Sequence, residues 1–198
     1  MKKENRKLEL VFLLDRSGSM GGLENDTIGG YNSFINKNRK NDALITTVLF
    51  DNKVEFLHDR ANIKDVKELT NKDYYVRGST ALMDAIGLAI NKISNESKDR
   101  KVVFVITTDG LENASCEYNR DKIKKMIAKK KDWEFMYLGA NIDSYEEASS
   151  IGIKKSRVSN YKSSGEGTQR MFGALNKAVA CFSEARDLED SWKEGLED

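Results

Sequence analysis

Val11-Phe12-Leu13-Leu14-Asp15-Arg16-Ser17-Gly18-Ser19-Met20 is the stretch from which the rest of the chain is read. An apolar run rich in Val, Phe and Leu stops at a carboxylate, and two hydroxyls and a glycine follow. Such a run, bounded by turn residues, fits a strand buried on both faces. Asp15, Ser17 and Ser19 then gather three oxygen side chains at one strand end. They have the character of part of a site for a hard metal ion, provided other segments bring oxygen to the same place.

A second run of this kind, Lys101 to Thr108 (KVVFVITT), also ends at a carboxylate, Asp109, with Gly110 after it. Around these two, the pattern predicts strands over Leu8–Leu14, Ala43–Phe50, Trp133–Leu138 and Arg157–Asn160. After the turn signal Asp51-Asn52, Lys53–Leu57 alternates polar and apolar, as a hairpin partner at a sheet edge does. Helical spacing predicts helices over Thr27–Asn38, around Leu82–Ile93, over Asp121–Lys131 and Asp143–Ser150, and at the C-terminal stripe Met171–Phe182. Ile63–Leu69 reads as weakly helical, Lys162–Gly167 as a polar loop. Strands alternating with helices give an α/β fold: a doubly wound, mostly parallel central sheet with one antiparallel edge strand and helices on both faces. With no repeat or linker, residues 1–198 read as one domain with a core of about 8–185, and the acidic tail 189–198 is expected to fray.

The composition narrows the function. Basic and acidic residues nearly cancel, 33 against 32, so the basic excess usual in nucleic-acid binders is absent and such a partner is not expected. No apolar run is long enough for a membrane span. The polar lead Met1–Lys7 has no apolar core or cleavage site of a signal peptide. Cys116 and Cys181 lie far apart, with no partners at metal-ligand spacing, as reduced thiols of a cytoplasm would.

In an open α/β sheet, ligands bind beyond the carboxyl ends of the strands. Asp15 and Asp109 are both strand-end residues and so share that rim. The loop Gly78-Ser79-Thr80 precedes the buried helix and opens toward it. Asp15, Ser17, Ser19, Thr80 and Asp109 together offer three hydroxyls and two carboxylates. That set suits Mg²⁺, with Mn²⁺ or Ca²⁺ as substitutes. The lack of His and Cys argues against zinc and copper. If the hydroxyls touch the ion and the carboxylates act through water, the ion stays electrophilic and an Asp or Glu from another protein is its natural further ligand. Read singly, Asp15 and the serines are equally well a turn, and Thr80 a helix cap.

Asp15-Arg16-Ser17-Gly18-Ser19-Met20, Gly78-Ser79-Thr80-Ala81-Leu82 and Thr107-Thr108-Asp109-Gly110 resemble the three motifs of a von Willebrand factor type A (vWA) domain, from Leu8 to about Phe182. The resemblance implies a metal-ion-dependent adhesion site (MIDAS). Residues matching Ser17, Ser19 and Thr80 would bind Mg²⁺ directly, and those matching Asp15 and Asp109 often through water. It further implies a mostly non-catalytic protein–protein interaction module. Ser79 departs from the second glycine of many members, which alters loop stiffness rather than ligation. The short, cysteine-poor chain resembles the intracellular bacterial branch, some of whose members work beside ATPases, so an ATPase is one candidate partner.

Two other functions share these residues. A metal-dependent phosphate-ester hydrolase would use the same ion. A nucleic-acid-associated module would use Lys122, Lys124, Lys125 and Lys129-Lys130-Lys131, although a solvated helix face is the plainer reading of that run. Catalysis is poorly provided for. Ser17-Gly18-Ser19-Met20-Gly21 is not a nucleophile elbow, and His58, the one histidine, reads as a surface residue away from the rim. Glu112 and Asn113 are expected to order their loop. Tyr74-Tyr75 fits an exposed anchor and loop packing equally.

Overall fold

The computed structural model describes residues 7–97 and 99–197. The polar lead before Lys7 lies outside them. In chain order the elements are β1 (Leu8–Asp15), α1 (Glu24–Asn38), β2 (Ala43–Phe50), β3 (Val54–Asn62), α2 (Leu82–Glu96), β4 (Lys101–Thr108), α3 (Arg120–Ala128), β5 (Glu134–Gly139), α4 (Ser144–Ser150), β6 (Val158–Asn160) and α5 (Gly165–Ser183), with short 3-10 turns at Gly18–Met20, Lys155–Arg157 and Asp190–Lys193. The six strands form one sheet in the order β3-β2-β1-β4-β5-β6. Only β3 is antiparallel to its neighbour. This is the mostly parallel α/β sheet with one antiparallel edge that the pattern predicts.

β1 holds the centre because every one of its residues is buried. Leu8, Leu10, Phe12 and Leu14 face one layer, with α1 and α5. Val11 and Leu13 face the other, with α2, α3 and α4. Each such side chain contributes about 1.5–3 kcal/mol on burial. Phe12 sits in an aromatic cluster with Tyr31, Phe34 and Phe172, at centroid distances of 5.8, 5.3 and 5.9 Å. Gly30 of α1 makes room for the Phe172 ring, since a Cβ there would overlap it. Asn119, Asp143 and Ser164 cap α3, α4 and α5 through their side chains.

Register sets the rim. Asp15 pairs with Phe50 on one side, and Leu14 pairs with Thr107 on the other. Three strand-end aspartates, Asp15, Asp51 and Asp109, therefore come level where the parallel strands end.

Three expectations change. Ile63–Leu69 is not helical: after a turn at 63–65 the chain runs without regular structure to Thr70. Ile63, Val66 and Leu69 are buried at three-residue spacing, and that spacing serves an extended strap as well as a helix. Side chains capture its backbone groups: Arg39 donates to the carbonyls of Ile63, Lys64 and Val66, and Asn32 bonds both backbone groups of Leu69. β3 continues past Leu57 to Asn62 through an irregularity in register, where Arg60 (φ 47°) pairs with buried Glu9 at 2.8 Å.

The tail up to Glu197 is docked, not frayed. Leu188, Trp192 and Leu196 are buried in the α1–α5 layer. The Glu197 carboxylate accepts hydrogen bonds from the Asn160 backbone at 3.1 Å and the Tyr145 hydroxyl at 2.8 Å. Acidity alone reads as fraying; a Trp and two Leu on four-residue spacing supply the burial that outweighs it.

Candidate metal centre

Asp15 is fixed by its own loop and by the neighbouring strand. Its Oδ1 accepts from the Ser17 backbone N–H at 2.7 Å, and its Oδ2 accepts from the Thr108 hydroxyl at 2.6 Å. The 3-10 turn at Gly18–Met20 then swings Ser19 inward, with Ser17 Oγ and Ser19 Oγ 3.2 Å apart. Ser19 Oγ donates to Asp109 Oδ1 at 2.5 Å, joining the first loop to the one after β4. Gly18 N–H donates to the carbonyl of Gly78, whose φ is +66°. That bond ties in the Thr80 loop, and glycine suits the left-handed backbone there. Thr80 is clamped at its backbone: its N–H donates to Asn113 Oδ1 at 2.8 Å, and its carbonyl accepts from Asn113 N–H at 3.0 Å.

These contacts bring the five predicted residues together. A methyl group placed on Gly110 would lie 3.0 Å from Thr80 Oγ1, 3.1 Å from Ser19 Oγ and 3.7 Å from Ser17 Oγ. Three hydroxyls thus surround one small space that Gly110 leaves open. None of them serves as a helix cap. The cap position of α2 is Ala81 and carries no side-chain cap bond, and Ser17 makes none to its 3-10 turn. Asp109 Oδ2 is buried and has no hydrogen-bond partner, a condition that costs free energy unless something compensates it. Among the described residues no three His, Cys, Asp or Glu side chains converge on a metal-sized space, so the donor set here is one of hydroxyls and carboxylates, which fits a hard cation.

The electrostatics agree with that chemistry. Burial pushes the Asp15 carboxyl up to about 6; hydrogen bonds from Thr108 and Ser17 oppose the rise, and the nearby Asp109 charge adds to it. Burial also raises Asp109, against the hydrogen bond from Ser19. Two buried carboxylates that resist ionisation would be relieved by a cation between them.

The sequence reading missed the network beside this centre. Arg16, itself buried, donates through Nε to Asp51 Oδ2 at 2.9 Å and through Nη2 to Glu55 at 2.8 Å. Arg77 Nε reaches the same Asp51 oxygen at 2.8 Å, and Lys53 N–H donates to the other. Burial alone would raise the Asp51 carboxyl, but Arg77, the Lys53 N–H and Arg16 together hold it below its usual range. Backbone bonds from Arg16 N–H to Phe50, Arg77 N–H to Arg16 and Ala81 N–H to Asp51 lace three rim loops together. No local signal marks this, because the partners lie 35 and 26 residues apart.

The remaining candidates divide. Glu112 orders its loop by accepting from the backbone of Met83, Ala114 and Ser115. Tyr74 is buried and donates to the Asp15 carbonyl at 2.6 Å, whereas Tyr75 is exposed. His58 lies within β3, half-buried, with Nδ1 3.0 Å from Thr47 Oγ1 in mid-strand. Lys122, Lys124, Lys125, Lys129 and Lys131 are exposed on and just after α3.

No protein-family model matches the chain. No curated protein matches it either. Solved structures do. Proximal thread matrix protein 1 of the mussel byssus is 20% identical, with a TM-score of 0.64 over 89% of this chain and 46% of its own; another structure of it is described with a zinc-occupied MIDAS motif. The manganese-loaded TRAP protein of Plasmodium vivax is 18% identical (TM-score 0.63; 89% and 72% covered). The vWF domain of the type V pili tip protein Mfa5 of Porphyromonas gingivalis is 10% identical (TM-score 0.69; 93% and 99% covered). The chain therefore spans less than half of the mussel protein and nearly all of the pilus domain. At such identities the likeness establishes the fold, and that fold is the vWA fold.

Proposed function

We propose that the chain is a divalent-metal-dependent protein-interaction module that binds a partner through an Asp or Glu carboxylate. Ser17, Ser19 and Thr80 would hold the ion directly, and Asp15 and Asp109 through water, with Mg²⁺ as the natural ion and Mn²⁺ or Ca²⁺ as substitutes. The observation that carries this reading is the gathering of three hydroxyls around the space left by Gly110, beside the partnerless Asp109 Oδ2. When bound, the ion supplies an electrophilic position for an incoming carboxylate. The protein's own part is to hold the oxygens in place before the ion arrives. Thr108 and the Ser17 N–H fix Asp15, and Asn113 fixes Thr80. A manganese-loaded neighbour and another described with a zinc-occupied MIDAS motif support a divalent ion.

A non-catalytic role belongs to the same proposal. The one histidine is bonded to Thr47 midway along the edge strand, away from the rim. A cytoplasmic, bacterial setting with an ATPase as candidate partner is also proposed; the free thiols of Cys116 and Cys181 are compatible with it. Affinity capture from native lysate, with Mg²⁺ against EDTA, tests the function. A partner retained only with the metal, and lost in Asp15→Ala, is the expected result. A partner set unchanged by chelation would overturn it.

A further inference from the structure

Among the described residues two large hydrophobic side chains are exposed, Tyr75 at 44% and Leu111 at 54%. Scattered surface apolar residues need no explanation, but these two are not scattered. Leu111 directly follows Gly110, the residue around which Ser17, Ser19 and Thr80 gather. Tyr75 lies at the same rim, in the segment that runs from Tyr74, bonded to the Asp15 carbonyl, to Arg77, bonded to the Arg16 carbonyl.

Both are held in place before any partner arrives. The guanidinium groups of Arg16 and Arg77 lie 5.4 and 5.3 Å from the centre of the Tyr75 ring, and Arg77 Nη1 is 3.4 Å from its hydroxyl. Cation–π contact of this kind fixes a ring that would otherwise collapse or wander. Leu111 projects from a loop whose next residues are anchored: Glu112 collects backbone donors from Met83, Ala114 and Ser115, and Asn113 is bonded to Thr80 in both directions. A partner covering either side chain has little ordering left to do. Charge at this face is already balanced away from the ion, because Arg16 and Arg77 are matched by Asp51 and Glu55. The network offers no surplus positive charge to a second acidic residue.

We infer that Tyr75 and Leu111 are paired apolar anchors flanking the metal centre, and that the partner presents one acidic residue bracketed by bulky apolar side chains. This inference rests on the metal-dependent reading above and adds what the rest of the partner segment must look like. An acidic segment rich in further carboxylates fits this network poorly, because its two guanidinium groups already have carboxylate partners.

The test uses the full chain, labelled, against an array of short peptides with one central Asp and with Ser, Leu, Phe or Glu at the flanking positions. It is run with Mn²⁺ and with EDTA, and Mn²⁺ binding is measured by calorimetry on the same samples. The expected result is metal-dependent binding concentrated on peptides with Leu or Phe beside the Asp. Leu111→Ser and Tyr75→Ser should each weaken those peptides roughly tenfold while leaving Mn²⁺ affinity in place. Tyr75→Ser also removes a ring lying over Arg16 and Arg77, so Leu111→Ser is the cleaner of the two. A chain that binds Mn²⁺ yet shows no apolar preference, or keeps that preference in Leu111→Ser, overturns the inference and leaves the metal centre standing. A chain that binds no Mn²⁺ overturns both.

Discussion

Two acidic centres sit side by side at the ends of the parallel strands, and they are solved in opposite ways. Asp51, fully buried, is neutralised from within by Arg16 and Arg77 and by the Lys53 N–H. Asp15 and Asp109 are almost as buried, but their partners are hydroxyls and an N–H, with no cation, and one Asp109 oxygen has none at all. The carboxyl of Asp51 is held low, while that of Asp15 is pushed up to about 6. The first centre is complete as a piece of structure. The second has no cationic partner among the described residues, and that difference separates a brace from the proposed metal centre.

The largest expected effect comes from breaking the complete centre. Arg16→Ala leaves Asp51 buried with only half of its guanidinium partners and should destabilise the fold by about 3 kcal/mol, read as a drop in the urea midpoint at unchanged slope. Asp109→Asn, in the other centre, should cost far less without metal, because it removes a charge that nothing pairs.

Protons should separate the two centres next. Asp15 binds its proton more tightly folded, at about 6, than at its ordinary 3.8. Folding therefore takes up a proton between these values, and the metal-free chain should lose up to about 3 kcal/mol as pH rises from about 4 through 6. Asp51 works the other way: its depressed pKa adds stability above the ordinary carboxylate range that is lost as pH falls. Urea titrations across this window, with and without Asp15→Asn, check the sign. Disappearance of the Asp15-dependent decline in the variant is expected; a decline of equal size would remove Asp15 as its source.

Supplying the missing charge should come next in size. At a metal concentration one hundred times its dissociation constant, stabilisation of about 2.7 kcal/mol is expected, seen as a rise in Tm that EDTA reverses. Asp15→Ala should show no rise, and Arg16→Ala should still show one. The smallest stability effect belongs to the Thr80 hydroxyl. Thr80→Ala should change metal-free stability by no more than about 1 kcal/mol, since Thr80 caps no helix, yet it should weaken metal binding. Calorimetry beside thermal melts separates these two readouts.

The contrast also marks what the sequence made legible. The Asp15 centre could be read because each of its pieces is local: an apolar run ending in Asp-x-Ser-x-Ser, a Ser-Thr before a buried helix, a second run ending in Asp-Gly. Strand register then brings the pieces level. The Asp51 centre could not, because Arg16 sits inside the most conspicuous motif and yet points to a partner on the next strand, while Asp51-Asn52 reads as an ordinary turn. Ile63–Leu69 failed for a related reason. Its apolar spacing is real, but the side chains of Asn32 and Arg39, far away in sequence, decide that its backbone runs unwound. The docked tail needed Trp192 to outweigh a run of acids, which is a matter of packing that composition does not display.

The most direct measurement of the missing charge is a titration of Mn²⁺ followed by its electron paramagnetic resonance signal. The free ion's spectrum broadens away when it binds. The expected result is one ion taken up per wild-type chain, displaced by excess Mg²⁺, and none taken up by Asp109→Asn or Asp15→Ala. Wild-type protein that leaves the free Mn²⁺ signal undiminished, or variants that take up the ion as the wild type does, would contradict a metal centre built from Asp15, Ser17, Ser19, Thr80 and Asp109.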